Sequence, residues 1–117
     1  ILLGAKKIVS VDNDPLCKDN FLENMQINNF CHSKISYILS DVRDWYDFNY
    51  DIVLANINRN ILSGIIPKLK NIIGRIFLSG ILKKDETFIS DRVLKFGMKV
   101  NNVDYKGDWV MMEICKK

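Results

Sequence analysis

The sequence predicts an α/β fold: a mainly parallel sheet with helices on both sides, closed by an antiparallel hairpin at the C-terminal end. Three observations carry that prediction. Short apolar runs alternate with stretches of helical periodicity as far as Gly97. The first three runs lead into a polar residue: Asp12, Asp41 after Ser40, and Asn56. Beyond Gly97 the pattern changes to two strand-like runs with a short connection and no helix between them.

Each element follows from its residues. Ile8-Val9-Ser10-Val11 is a β-branched run that stops at Asp12, which reads as a buried strand. Asp14 can cap free N–H groups and Pro15 suits a first helical turn, so a helix starts there. Leu16, Cys17, Phe21 and Met25 supply its apolar stripe, and Asn28-Asn29 ends it. Ile35 to Leu39 is the second strand, closed by Ser40-Asp41. Asp51 to Asn56 is nearly all apolar, as expected of a strand covered on both faces.

The next helix carries Ile61, Leu62, Ile65, Ile66, Leu69, Ile72 and Ile73 at three- and four-residue spacing. Pro67 inside that pattern predicts a kink or an early break. Gly74 leads into a strand from Arg75 to Ser79, with Gly80-Ile81-Leu82 following. A helix from about Lys84 to Phe96 stops at Gly97. Met98 to Tyr105 and Trp109 to Cys115 form the hairpin, turning at Lys106-Gly107-Asp108. Trp109 is expected in the core, and of Met111 and Met112 one packs inward and the other lies at an edge.

Bulk properties narrow the class. The 117 residues suit one domain with a single core, without internal repeat or low-complexity tract. Lys+Arg 17 against Asp+Glu 14 gives a net charge of +3 with the basic residues scattered, so the charge argues little about partners; no direct nucleic-acid binding is expected. Cys17, Cys31 and Cys115 lack paired spacing, His32 is the only histidine, and no zinc pattern or metal site is predicted. These are expected to be free thiols in a reducing cytosol. No apolar run approaches the ~20 residues of a membrane helix. Ile1 to Lys7 is not a signal peptide and reads as the end of a helix from a longer protein.

In open parallel sheets, ligands bind beyond the carboxyl ends of the strands. Asp12 stands where an acid can accept both hydroxyls of a ribose, and its loss would weaken nucleoside binding roughly ten- to a hundredfold. The other reading is that Asp12 only turns the chain, helped by Asn13 and Asp14. Asp41 can accept from an adenine amino group with Val42 packing on the ring, although aspartates at strand ends are common turn chemistry. Asp44 and Asp47 read as surface acids. The amide oxygen of Asn56 can accept from a substrate N–H and aim the nitrogen lone pair at a methyl donor; a loop-forming role stays equally open. The three strand ends are expected along one rim of the sheet.

Taken in order and spacing, four segments point to a family: Val11 to Pro15 (Val-Asp-Asn-Asp-Pro), Leu54 to Ile57 (Leu-Ala-Asn-Ile), Leu78 to Leu82 (Leu-Ser-Gly-Ile-Leu) and Gly107 to Val110 (Gly-Asp-Trp-Val). From Gly4 to the C-terminus the sequence resembles the PrmA family, methyltransferases of large-subunit ribosomal protein eleven. The resemblance implies a Rossmann-like class I S-adenosylmethionine-dependent methyltransferase sheet with an antiparallel C-terminal hairpin, residues 1–117 forming a single, partial catalytic domain. It implies S-adenosylmethionine as donor and lysine side-chain or terminal amines of the ribosomal protein as acceptors, in a cytoplasmic monomer. Carried over residue by residue, Asp12, with Asn13 beside it, would hold the cofactor ribose. Asp41 and Val42 would hold the adenine, and Asn56 would meet the methyl group and the incoming amine as the catalytic residue.

Departures from the family qualify this. Its first strand and Gly-rich cofactor loop are expected before residue 1, as is the N-terminal domain that docks the ribosomal protein. Asn58-Arg59-Asn60 replaces smaller, more apolar residues. A methyltransferase of RNA or of another protein on the same fold, or an inactive remnant, are therefore alternatives; a nicotinamide dehydrogenase fits the terminal hairpin poorly. An amine acceptor is favoured because no aromatic platform for a planar nitrogen follows Asn56. That amine must be neutral, and a lysine of pKa ~10.4 is only on the order of one part in a thousand neutral near pH 7. With His32 expected at the surface no side chain is an obvious base, and the proton is expected to pass to water. Two physical consequences follow: a sheet interrupted between the strands ending at Asp12 and Asn56, and poor independent stability.

Overall fold

The computed structural model describes residues 1–31 and 33–117, so the surface expectation for His32 lies outside the described residues. Two compact units divide the chain, Ile1–Trp45 and Tyr46–Lys117.

In the first unit, β1 (Ile8–Asp12) and β2 (Ile35–Leu39) are parallel and joined through α1 (Pro15–Ile27). Their register runs from Ile8 opposite Ile35 to Asp12 opposite Leu39. Asp14 caps α1 by accepting the Leu16 N–H at 2.9 Å, and Pro15 occupies the first turn, where its missing N–H leaves no donor unsatisfied. Asn29, at φ 53°, carries the chain out of the helix in the left-handed region that Asn tolerates. Met25 and Ile35 are buried, and the Phe21 and Tyr37 rings meet at 5.1 Å to join helix and strand. Leu16, expected in the stripe, is exposed. Residues 1–7 hold no helix of their own; Gly4 N–H donates to the Ile1 carbonyl in one isolated turn.

The second unit contains β3 (Ile52–Asn56), α2 (Arg59–Leu69), β4 (Arg75–Leu82), α3 (Glu86–Lys95), β5 (Met98–Lys106) and β6 (Trp109–Lys116). Its sheet order is β3-β4-β6-β5, with β3 and β4 parallel and the β4/β6 and β5/β6 pairs antiparallel. Among the described residues β1 pairs with β2 and β3 with β4, and no ladder joins β1 to β3, as expected.

Register shows why this sheet has one buried face. Ala55 lies opposite Leu78, Leu78 opposite Met112, and Ile76 opposite Ile114, and all five are buried. Since alternate side chains point to opposite faces, these residues share one face. Leu62, Ile65, Ile66 and Leu69 of α2 and Ile89 and Val93 of α3 complete the core. Each such side chain contributes roughly 1.5–3 kcal/mol by leaving water. The other face departs from expectation: Leu54 is 76% and Ile52 55% exposed, so β3 is covered on one face only. There Leu54 stands opposite Phe77 and Phe77 opposite Glu113, with Arg75 bridging Glu113 at 2.8 Å.

α2 runs two residues past Pro67 and ends at Leu69, leaving Ile72 buried and Ile73 exposed beyond it. Pro67 cannot donate to the Ser63 carbonyl four residues earlier. Arg92 Nε of α3 takes that carbonyl at 3.2 Å. α3 begins at Glu86 rather than Lys84, because Lys83–Asp85 forms a tighter 3-10 turn, and it ends before Gly97 at φ +76°. Met112 packs inward and Met111 is half-buried, as the strand period requires.

Candidate functional site

Asp12 and Asn56 are the last residues of β1 and β3, Asp41 stands two residues past β2, and Asn13 and Val42 follow the two acids. Asp12 closes β1, and its Oδ1 accepts the Asp14 N–H at 2.9 Å, so the turn-forming role is real. Asn13 is exposed in that turn. A carboxylate offers about four acceptor positions, which leaves capacity for a diol. Cys17 faces this acid: partial burial, then the charges of Asp12 and Asp14 and a hydrogen bond to Asp12, push its thiol above the ordinary value. Burial and the same acids push Tyr37 up as well, and its hydroxyl donates to the Asp14 carbonyl at 3.1 Å. This corner therefore keeps its neutral donors protonated.

Asp41 caps the short Val42–Asp44 turn after β2, accepting the Arg43 N–H at 2.8 Å. The Arg43 guanidinium also grips both carboxylate oxygens, with Nε 3.0 Å from each. That hydrogen bond and the carboxylate charge raise the Arg43 pKa. Any adenine amino group would have to share Asp41 with Arg43. Val42 is half-buried beside it.

Asn56 closes β3 opposite Ser79 of β4. The backbone at Gly80 has φ +75°, and a Cβ there would lie 2.8 Å from Asn56 Oδ1 and 3.1 Å from the Ile57 carbonyl oxygen. Glycine is thus required twice over, for its conformation and for the close approach of the amide. Asn56 and Gly80 open into a cleft of about 470 Å³ whose walls include Asp104, Tyr105, Trp109 and Met111. Trp109 is 55% exposed and lines this cleft, against the expectation that it packs in the core. As the first residue of β6, beside the turn, it lies opposite exposed Lys106, and the buried positions begin with its neighbour Val110. Tyr105 donates to Glu86 Oε1 at 2.9 Å; that bond, with desolvation and the Glu86 charge, raises its pKa and keeps it a neutral wall rather than a base.

A second cleft of about 420 Å³ adjoins the first through Gly80 and Trp109, and Asn58, Arg59, Lys84 and Asp85 line it. Arg59 Nη1 bridges Asp85 Oδ1 at 2.8 Å. Sequence reasoning gave no role to Gly80, Arg59 or Asp85. The glycine inside a strand pattern was the available signal for the first. The ion pair joins residues 26 apart and had no local signal.

The sequence model described as ribosomal protein L11 methyltransferase (PrmA) matches residues 1–117. A relative of that name from Clostridium perfringens is 33% identical over 110 residues, covering 92% of this chain and 34% of the relative. Another, from Carboxydothermus hydrogenoformans, is 31% identical over 123 residues, covering 99% of this chain and 39% of the relative. The chain thus spans between a third and two fifths of these curated relatives. Its fold matches the crystal structure of a ribosomal protein L11 methylase from Lactobacillus delbrueckii subsp. bulgaricus with a TM-score of 0.90 and 24% identity, over 99% of this chain and 61% of that one. With the match running its whole length, this chain belongs to the ribosomal protein L11 methyltransferase (PrmA) family.

Proposed function

We propose that this chain carries the transfer chemistry of an S-adenosylmethionine-dependent methyltransferase acting on lysine or terminal amines of a large-subunit ribosomal protein in the cytoplasm. The observation that carries the reading is Asn56, its amide oxygen seated against Gly80 at the mouth of a cleft walled by Trp109 and Tyr105. The donor set is chemically suited to the cofactor: Asp12 has acceptor capacity for a ribose diol, and Asp41 with Val42 offers an acceptor beside an apolar contact for adenine. Asn13 stands beside the ribose acid in the same turn. S-adenosylmethionine supplies an electrophilic methyl group on a sulfonium.

The chain's own contribution is orientation. Asn56 Oδ1 would accept an N–H of the neutral amine and leave the nitrogen lone pair directed away from the amide, free to form the N–C bond as the methyl–sulfur bond breaks and its electron pair stays on sulfur as a neutral thioether. Trp109 and Tyr105 shield the alkyl stem from water and favour the uncharged acceptor by desolvation. The proton lost from nitrogen passes to solvent. Positioning of this kind supplies most of the rate in a displacement without acid–base chemistry at the leaving group.

Because the chain spans a fraction of its relatives, the assay joins the N-terminal part of the Clostridium perfringens relative ahead of residue 1. Labelled methyl is then followed onto a ribosomal-protein peptide and onto an RNA oligomer. Label should enter the peptide amine only. Asn56→Ala should lower kcat roughly a hundredfold while leaving S-adenosylhomocysteine affinity within about twofold. Asp12→Ala should weaken that affinity roughly ten- to a hundredfold. Label on RNA, or full activity in Asn56→Ala, would refute the assignment.

A further inference from the structure

Asn56 is exposed, and β3 ends with it. Its amide oxygen lies beside Gly80, so a shift in the segments that line the clefts would move it. Three residues on, Arg59 opens α2 and bridges Asp85 at 2.8 Å. Asp85 is 9% exposed, the one buried charged residue among those described. A buried carboxylate is tolerated only with a partner, and such pairs are poor stabilisers compared with apolar packing. Stability alone is therefore a weak reason for it.

Its location supplies a better one. Asp85 sits in the 3-10 turn that leaves β4, five residues past Gly80. Lys83 of that turn donates its N–H to the Asp108 carbonyl at 2.9 Å, which ties the turn to the hairpin connection just before Trp109. The Arg59 guanidinium lies over the Phe88 ring at 5.3 Å, which restricts its swing. One turn thus links the segment after Asn56, the strand containing Gly80 and the hairpin that presents Trp109.

We propose that Arg59 and Asp85 form a positioning latch for methyl transfer, holding the Asn56 amide against Gly80 in the cleft that Trp109 also lines. Neither residue touches a reacting atom. The inference rests on the transfer reading above for its consequence in rate, while its structural content stands on this chain alone.

The test reads both. In the 117-residue chain, the Asn56 side-chain amide and Trp109 indole resonances are followed by NMR in Asp85→Asn, Arg59→Met and the reversed pair Arg59→Asp with Asp85→Arg. The single changes should move both sets, and Arg59→Lys should move them less. The reversed pair should return them toward the parent positions. In the transfer assay the single changes should lower kcat about tenfold, with cofactor affinity within twofold. Should Asp85→Asn unfold the chain, Arg59→Met gives the same reading. Unmoved Asn56 and Trp109 resonances, or a lowered melting temperature with kcat per folded molecule unchanged, would overturn the latch. If the parent transfers no methyl to any amine, the functional reading fails, and the resonances still decide whether the latch exists.

Discussion

At the scale of single residues, Gly80 ties stability to the placement of Asn56 most directly. Its φ of +75° costs any other residue about 1–3 kcal/mol, and a Cβ would press on an amide oxygen at 2.8 Å and a backbone carbonyl at 3.1 Å. The side chain can move aside and the carbonyl cannot. Gly80→Ala should therefore lower unfolding free energy by about 1–3 kcal/mol in urea titration, and it should displace Asn56 as well. A stability loss with Asn56 resonances unmoved would mean that the amide does not depend on this glycine. Asp12, Asp41 and Asn56 were legible as strand-end residues because a polar side chain closing an apolar run is visible in one dimension. Arg43 on Asp41 was nearly visible, being two residues away. Arg59 with Asp85 was not, because folding alone brings them together. Trp109 was misjudged because its aromatic character was read as burial, whereas alternation with buried Val110, Met112 and Ile114 puts it on the other face of β6.

At the scale of elements, local chemistry and tertiary contact divide the outcome. Asp14-Pro15 placed the start of α1 correctly, since a cap acts within three residues. The start of α3 was shifted because Lys83 is held by Asp108, on a strand connection 25 residues further along. β3 was expected to be buried on both faces, but composition alone cannot say how many layers cover a strand. Pro67 shows the two influences meeting in α2. The carbonyl it orphans, that of Ser63, is taken by Arg92 of α3 at 3.2 Å. Arg92→Met keeps the stem and removes the donor, and should cost about 1–3 kcal/mol as a part-buried acceptor loses its partner. In a Pro67→Ala background the restored helical N–H serves Ser63, so the same change should cost less by about 1 kcal/mol. A double-mutant cycle by urea denaturation measures the difference. Strict additivity would show that Arg92 acts only through its contact with the Phe96 ring, 4.8 Å away.

At the scale of the whole molecule, the buried apolar residues are unevenly divided. Met25 and Ile35 are the buried hydrophobics of Ile1–Trp45, and all the others, from Ala55 to Ile114, belong to Tyr46–Lys117. β1 and β2 make a sheet of two strands, an arrangement of marginal stability in isolation, whereas β4 and β6 lie inside a sheet of four. A domain can share one fold and still open in pieces whose free energies follow local burial. Native-state hydrogen exchange should find the β4 and β6 amides slowest, with β1 and α1 amides at least tenfold faster, a gap of about 1.4 kcal/mol. Raising urea should merge the two classes only near global unfolding if the first unit opens separately. Equal protection of β1 and β4 at all urea concentrations would instead mean that the 117 residues unfold as one cooperative domain. The strand ends carrying Asp12 and Asp41 would then be as rigid as the one carrying Asn56.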